Sequence, residues 1–251
     1  MDIPRAEQAY DQSLKLLRRS VTAQRNYAAA LDGLASLYLL KGQMAEAENC
    51  RRKALAIFEA VGDPRNSLAL HGNLAVILLK EQKFKDAENE ASTAIEGMQD
   101  HVEPYATDLV SALLVRSYAR CLQRRCKDGL SDATRAFQIV QAFLSPNSLA
   151  AASSWSALGY MDWKSGNVAG CDEKMRKALQ VLSDNNTEVP YPIIVDSRIG
   201  ALTEYQQFLN ATHRKPEAQH VGDEIARLTN EQSPVCKNCS VNVEGLTNAL
   251  R

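Results

Sequence analysis

Small residues recur along the chain at fixed separations and set the register of the apolar pattern around them. One column holds Ala47, Ala87, Gly129, Cys171 and Ala218, spaced by 40, 42, 42 and 47 residues. A second holds Ala54, Ala94, Ala136, Ala178 and Ile225, each seven residues after its counterpart. Seven residues is about two helical turns, so each pair lies on one helix face, where small side chains let a neighbouring helix approach closely. A third column, Pro64, Pro104, Pro146 and Pro192, marks helix starts. Proline is tolerated in the first turn, where its missing N–H had no partner. Asp63 and Ser145 precede two of these prolines as candidate N-caps. Each proline opens an apolar-periodic segment such as SLALHGNLAVILL or SLAAASSWSALGYM. A short break follows, KGQ or KSGN, in which Gly42 and Gly166 supply the positive φ of a tight turn. A second helix comes next, as in AEAENCRRKALAIF or AGCDEKMRKALQVL, and almost nothing reads as strand. The predicted unit is helix, turn, helix, repeated about every forty residues.

Boundaries follow from these columns. Residues 3–18 read as a lone second helix, and five helix pairs occupy about 22–60, 64–99, 103–142, 146–183 and 192–229. The stretch SDNNTEVPYP (183–192) is a longer loop that accounts for the last gap of 47. One all-α unit therefore covers 1–229. Residues 230–251 lose the helical period and read as a tail or cap.

Over roughly residues 3–229 the pattern resembles the tetratricopeptide repeat. The matching positions are Leu31, Leu34, Ala35, Tyr38, Gly42, Ala47 and Ala54 in one repeat, and Trp155, Leu158, Gly159, Gly166, Cys171 and Ala178 in a later one. The family period is about 34 residues. Gaps of 40–42 look like the longer repeats of kinesin light chains, and HGNLAVILL, containing Asn73, is similar to the LNNLA-type segment of that subgroup. The resemblance implies a right-handed superhelical solenoid of antiparallel helix pairs that stack to share one core. It also implies a concave groove, walled by the first helix of each pair, that binds a peptide segment of a partner protein. Ten inner-face positions follow: Asp32 and Ser36, Asn73 and Lys80, Tyr118, Tyr160, Trp163 and Lys164, then Gln207 and Asn210.

These candidates differ in chemistry. The Asn73 amide carries both donor and acceptor, so it suits a peptide backbone, or else a bond to an adjacent helix. Tyr118, Tyr160 and Trp163 form either an aromatic anchor strip or, as helically spaced aromatics more often do, core filling between repeats. The carboxylate clamp that holds chaperone C-terminal tails needs Lys and Arg at inner positions occupied here by Asp32, Gly72, Leu114, Ala29, Ala69 and Ser111, so such tails are disfavoured. Arg116 and Arg120 fall where the family buries Leu and Tyr, and Asp162 takes a Tyr place 42 residues after Arg120. That spacing suggests an Arg120–Asp162 ion pair, or alternatively a shifted helix that exposes both arginines.

Composition narrows the remaining function classes. Twenty-nine Lys and Arg against 30 Asp and Glu leave a net charge of -1, without the basic excess that nucleic-acid binding requires. No apolar run is long enough to span a membrane. The start, MDIPRAEQAYDQSLKLLRR, shows no secretory-signal pattern, which gives a cytoplasmic expectation. The sequons at Asn185, Asn210 and Asn238 would matter only in a secretory pathway. Six cysteines are too few for a disulfide scaffold; Cys50, Cys121 and Cys171 read as small apolar residues, and Cys236 and Cys239 form a lone CxxC without a second pair for zinc. Four scattered histidines, with no HExxH, GxSxG, GxxxxGK[ST] or GxGxxG motif, give no catalytic constellation. The expectation is a non-catalytic scaffold with no cofactor and no metal. A peptide-responsive regulatory module and a self-assembling solenoid are the alternatives.

Overall fold

The structure, a computed structural model, describes residues 21–183 and 191–232. Among these residues there are ten α-helices and no strand. In chain order they are α1 (Val21–Leu40), α2 (Met44–Ala60), α3 (Pro64–Lys80), α4 (Phe84–Met98), α5 (Val102–Leu122), α6 (Cys126–Phe143), α7 (Leu149–Lys164), α8 (Val168–Ser183), α9 (Tyr191–Ala211) and α10 (Lys215–Gln232). The expected helix at 3–18, the sequons at Asn185 and Asn238, and the Cys236/Cys239 tail lie outside the described residues.

The helices form five antiparallel pairs. The first helices α3, α5, α7 and α9 pack side by side, while each second helix wedges between its own first helix and that of the next pair. That arrangement places the first helices on the inside of a curved stack. The small-residue columns are the contact points: Ala47, Ala54, Ala87, Ala94, Ala136, Cys171 and Ala178 are wholly buried. At Gly129 the backbones of two helices approach closely. A Cβ there would lie 2.6 Å from the Ser117 carbonyl oxygen, and the Ser117 hydroxyl, itself buried, donates to the Gly129 carbonyl at 2.7 Å.

Helix starts follow the caps. The Asp63 carboxylate accepts from the Asn66 N–H at 3.2 Å with Pro64 in the first turn. The fourth pair differs from expectation. Residues 144–148 form a turn, α7 begins at Leu149, and its cap is Ser148, which accepts from the Ala151 N–H at 3.2 Å. Ser145 instead accepts from the Asn147 N–H within that turn.

The turn inside each pair needs one residue at positive φ, and all five follow a common register. Gly42 (73°) and Gly166 (89°) meet the need without strain, but Gln82 (61°), Arg124 (65°) and His213 (61°) occupy the same turn position in the other pairs. A side chain there sits in the left-handed region at a cost of about 1–2 kcal/mol. Gln82→Gly, Arg124→Gly and His213→Gly are each expected to stabilise the protein by about 1 kcal/mol after the added chain entropy of glycine. Urea midpoints measure this; lower midpoints for all three would remove the strain argument.

Arginines at apolar register positions are accommodated by a charged network between α4, α5 and α6. Arg116 makes a two-pronged bond to Asp132 (2.7 and 3.0 Å). Arg120 spans Asp132 (2.8 Å) and Glu88 (2.9 Å). Gln123 and Arg125 also donate to Glu88. Burial works to raise the Glu88 pKa, but the bonds from Arg125, Arg120 and Gln123 outweigh it and hold the carboxyl at about 2. Its stabilising contribution is therefore complete above the ordinary glutamate range and fades only as pH falls toward 2. The expected Arg120–Asp162 pair does not form, because α6 offers Asp132 to Arg120 from closer in sequence. Asp162 pairs with Lys174 instead.

Two cysteines also differ from expectation. Cys121, at the end of α5, and Cys126, at the start of α6, are joined as a disulfide across the turn of their own pair. The hairpin brings residues five apart together, which a helical reading of Cys121 alone did not show. Cys50 and Cys171 are buried, as small apolar residues would be.

Candidate functional site

The concave wall holds a cavity of about 340 Å³ bounded by α3, α5, α7, α8 and α9. Its sides are apolar, with Val76, Val110, Leu114, Leu149 and Leu182 among them, interrupted by the hydroxyls of Thr107, Ser111, Ser153 and Ser197. The helical period explains the set: Thr107, Ser111, Leu114 and Tyr118 recur every three or four residues and so share one stripe of α5. The small residues Ala150, Ser153, Gly200 and Ala201 keep the space between α7 and α9 open.

Among the described residues, Glu204 is the one charged residue lining this cavity. It is 4% exposed. The Tyr118 hydroxyl donates to one carboxylate oxygen at 3.0 Å and the Ser156 hydroxyl to the other at 2.6 Å. Burial pushes the Glu204 pKa up to about 7, with the Ser156 and Tyr118 bonds acting in the opposite direction. Burial also lifts the Tyr118 hydroxyl well above its ordinary range, and the neighbouring Glu204 charge adds to the shift.

The ten positions expected to line the groove are spread over α1, α3, α5, α7 and α9. Tyr118 lines the cavity. Tyr160 is 2% exposed, tilted against Tyr118 at 5.4 Å between centroids and edge-on to Trp163 at 5.8 Å. Trp163 is half-buried and edge-on to Phe208 at 6.0 Å, so these rings join α5, α7 and α9. Lys164 places its ammonium 3.7 Å over the Trp163 ring. Asn73 is half-buried one turn before the cavity residue Val76, and its carbonyl accepts from Arg51 at 2.9 Å. Asp32 pairs with the same Arg51 at 3.1 Å, and the exposed Ser36 donates to the Asp32 carbonyl at 3.1 Å. Lys80 and Gln207 are half-buried and Asn210 is exposed, all three near the C-terminal ends of their helices. None of these last six residues lines the cavity.

Sequence reasoning missed Glu204, Ser153 and Ser156, and took Ser111 and Leu114 only as positions without a clamp cation. A signal was present. Ser111 and Ser153 are 42 apart, as are Leu114 and Ser156, but Glu204 lies 48 beyond Ser156, so the longer loop before α9 hides the column. His71 is not in the cavity either; it is held by Glu90 at 2.6 Å, and that bond raises its pKa.

The model of the tetratricopeptide repeat family matches residues 26–100. No curated protein matches the sequence. Among solved structures, BtubC (BKLC) from P. vanneervenii superposes with a TM-score of 0.69 at 14% identity, covering 92% of this chain and 91% of its own. Nearly identical kinesin-light-chain TPR-like repeats of Podosopora anserina give 0.60 at 14% identity, with coverage of 84% and 98%. NprR in complex with its cognate peptide NprX gives 0.68 at 14% identity, with 92% of this chain covering 63% of that one. The fold is an all-α, TPR-like superhelical solenoid of stacked helix pairs. No helix among the described residues is long and apolar enough to cross a membrane.

Proposed function

We propose that this protein is a non-catalytic interaction scaffold that holds a peptide segment of a partner protein on its concave face, anchored in the cavity between α5, α7 and α9. The observation that carries the reading is the cavity itself: a preformed apolar space with a few convergent polar groups on the inner wall. At about 340 Å³ it suits one or two partner side chains rather than a whole folded domain. A structural neighbour of the same fold, NprR, is known in complex with a peptide, which supports this use of the architecture. Asn73, near the edge of the cavity wall, is the proposed backbone-holding group.

The test uses partner segments recovered with the intact protein from its host and then synthesised. Ser111 is exposed at the cavity wall, so Ser111→Trp fills the space without disturbing the core. It is expected to weaken binding at least about tenfold, the loss of a buried anchor, with an unchanged melting temperature. Asn73→Ala is expected to weaken it several-fold through the lost amide bonds. Undiminished binding by Ser111→Trp would move the site off this cavity.

A further inference from the structure

Three carboxylates are buried among the described residues, and two of them carry cations. Asp132 is held by Arg116 and Arg120, and Asp162 by Lys174. Glu204, equally buried, is met by two neutral hydroxyls and faces a cavity with no other charged residue among the described ones that line it. Buried charges are ordinarily paired, so Glu204, when ionised, lacks a counter-charge among the described residues. The complementary group has to be a hydrogen-bonding cation that arrives through an apolar space.

Resting on the groove reading above, we propose that the cavity is a lysine pocket: a partner lysine, flanked by apolar residues, inserts its side chain and pairs its ammonium with Glu204. Lysine fits better than the two other cations a peptide offers. Its four methylenes lie against Leu114, Leu149 and Ala201 while the peptide backbone stays at the mouth, as amphipathic stems do elsewhere. Its three donors are matched by Glu204 and the nearby serine hydroxyls, whereas an arginine brings five donors in a rigid fork to a carboxylate that already accepts two bonds. A free amino terminus would drag main-chain amides into the apolar space without partners.

Lysine binding requires Glu204 ionised, so entry of the ammonium releases a proton wherever the free protein holds the carboxyl neutral. Among the described residues, the titratable groups that sense Glu204 are Tyr118 on α5, Tyr160 on α7 and Cys171 on α8. Burial raises all three, the Cys171 thiol to about 12, so none changes charge between pH 6 and 8. With the Glu204 pKa at about 7, affinity should rise about tenfold between those limits.

The probes are the capped peptide acetyl-Ala-Leu-Lys-Leu-Ala-amide, its Nε-acetyl-lysine form, an arginine form, a lysine-free peptide with a free amino terminus, and 1-pentanol. Methyl NMR of Leu114, Leu149 and Leu182 in the full chain follows occupancy. The lysine peptide should bind at least about tenfold more tightly than the acetyl-lysine peptide at pH 8, the discrimination expected when a buried charge loses its partner, and lose about tenfold at pH 6. Glu204→Gln should abolish both differences while pentanol still shifts the methyls, which shows the cavity intact. Equal affinity for lysine and acetyl-lysine, or a preference that survives Glu204→Gln, overturns the lysine pocket and leaves an apolar groove. Tighter binding of the arginine or free-amine peptide overturns the choice of lysine. If neither peptide nor pentanol moves the methyls, the groove reading fails together with it.

Discussion

Asp132→Ala is expected to destabilise the protein by roughly 3–5 kcal/mol, the loss typical of removing one partner of a buried ion pair. Asp132 is 4% exposed and accepts from two guanidinium groups. Without it Arg120 keeps Glu88, but Arg116 retains a 3.3 Å bond to Ser92 and no counter-charge among the described residues. The damage falls at the centre of the stack, where α4, α5 and α6 meet, and a solenoid depends on each interface between neighbours. Urea denaturation gives the size of the effect. A loss below about 1 kcal/mol, the range of an exposed pair, would show that the network is solvated. Replacing Arg116, Arg120 and Asp132 together by apolar residues of similar volume should recover much of the loss, because the desolvation penalty disappears with the charges.

Glu204→Gln is expected to have the opposite sign, and its effect depends on pH. A carboxyl with a pKa of about 7 in the folded protein and 4.5 as its reference value binds a proton more tightly when folded. Its neutral form supports the fold below the unfolded pKa, and that support is lost as pH rises through 7. The gap between the folded and reference values corresponds to about 3 kcal/mol. Glutamine keeps the shape and the accepting oxygen for Tyr118 or Ser156 but never ionises. The variant should therefore be more stable than wild type by about 3 kcal/mol at pH 8, with no difference near pH 4. Thermal melts across that range decide it. Parallel pH profiles for the two proteins would place the Glu204 charge in a solvated setting. The same variant serves the lysine test, since lost binding in a more stable protein is not lost folding.

The legibility of the chain differs between its parts for physical reasons. Columns such as Ala47/Ala54 and Cys171/Ala178 are readable because small residues two turns apart mean the same thing wherever they occur: a helix–helix contact. Gly42 and Gly166 announced their turns, whereas Gln82, Arg124 and His213 did not, since a side chain at positive φ leaves no mark in the residue type. Tyr118 was an inner-face expectation from the family resemblance, and it lines the cavity. Its partner Glu204 is 86 residues away in a repeat displaced by the longer loop, so no fixed period reaches it. The Arg120–Asp162 expectation failed because both residues had nearer partners on second helices, Asp132 and Lys174. The Cys121–Cys126 bridge went unread because Cys121 was read as a small apolar residue of its own helix, without regard to the hairpin that brings Cys126 beside it.

The amino-acid order by itself determined that this protein is made of stacked helix pairs, where most of them begin and turn, and which small residues lie between them. Those features are set by interactions within one or two helical turns. Only the tertiary structure decided which acid would be buried beside a cavity, which arginines would share an aspartate, and which hydroxyls would converge on Glu204. Such contacts depend on how far each pair rotates on the last, and that rotation is fixed by packing summed over the whole stack.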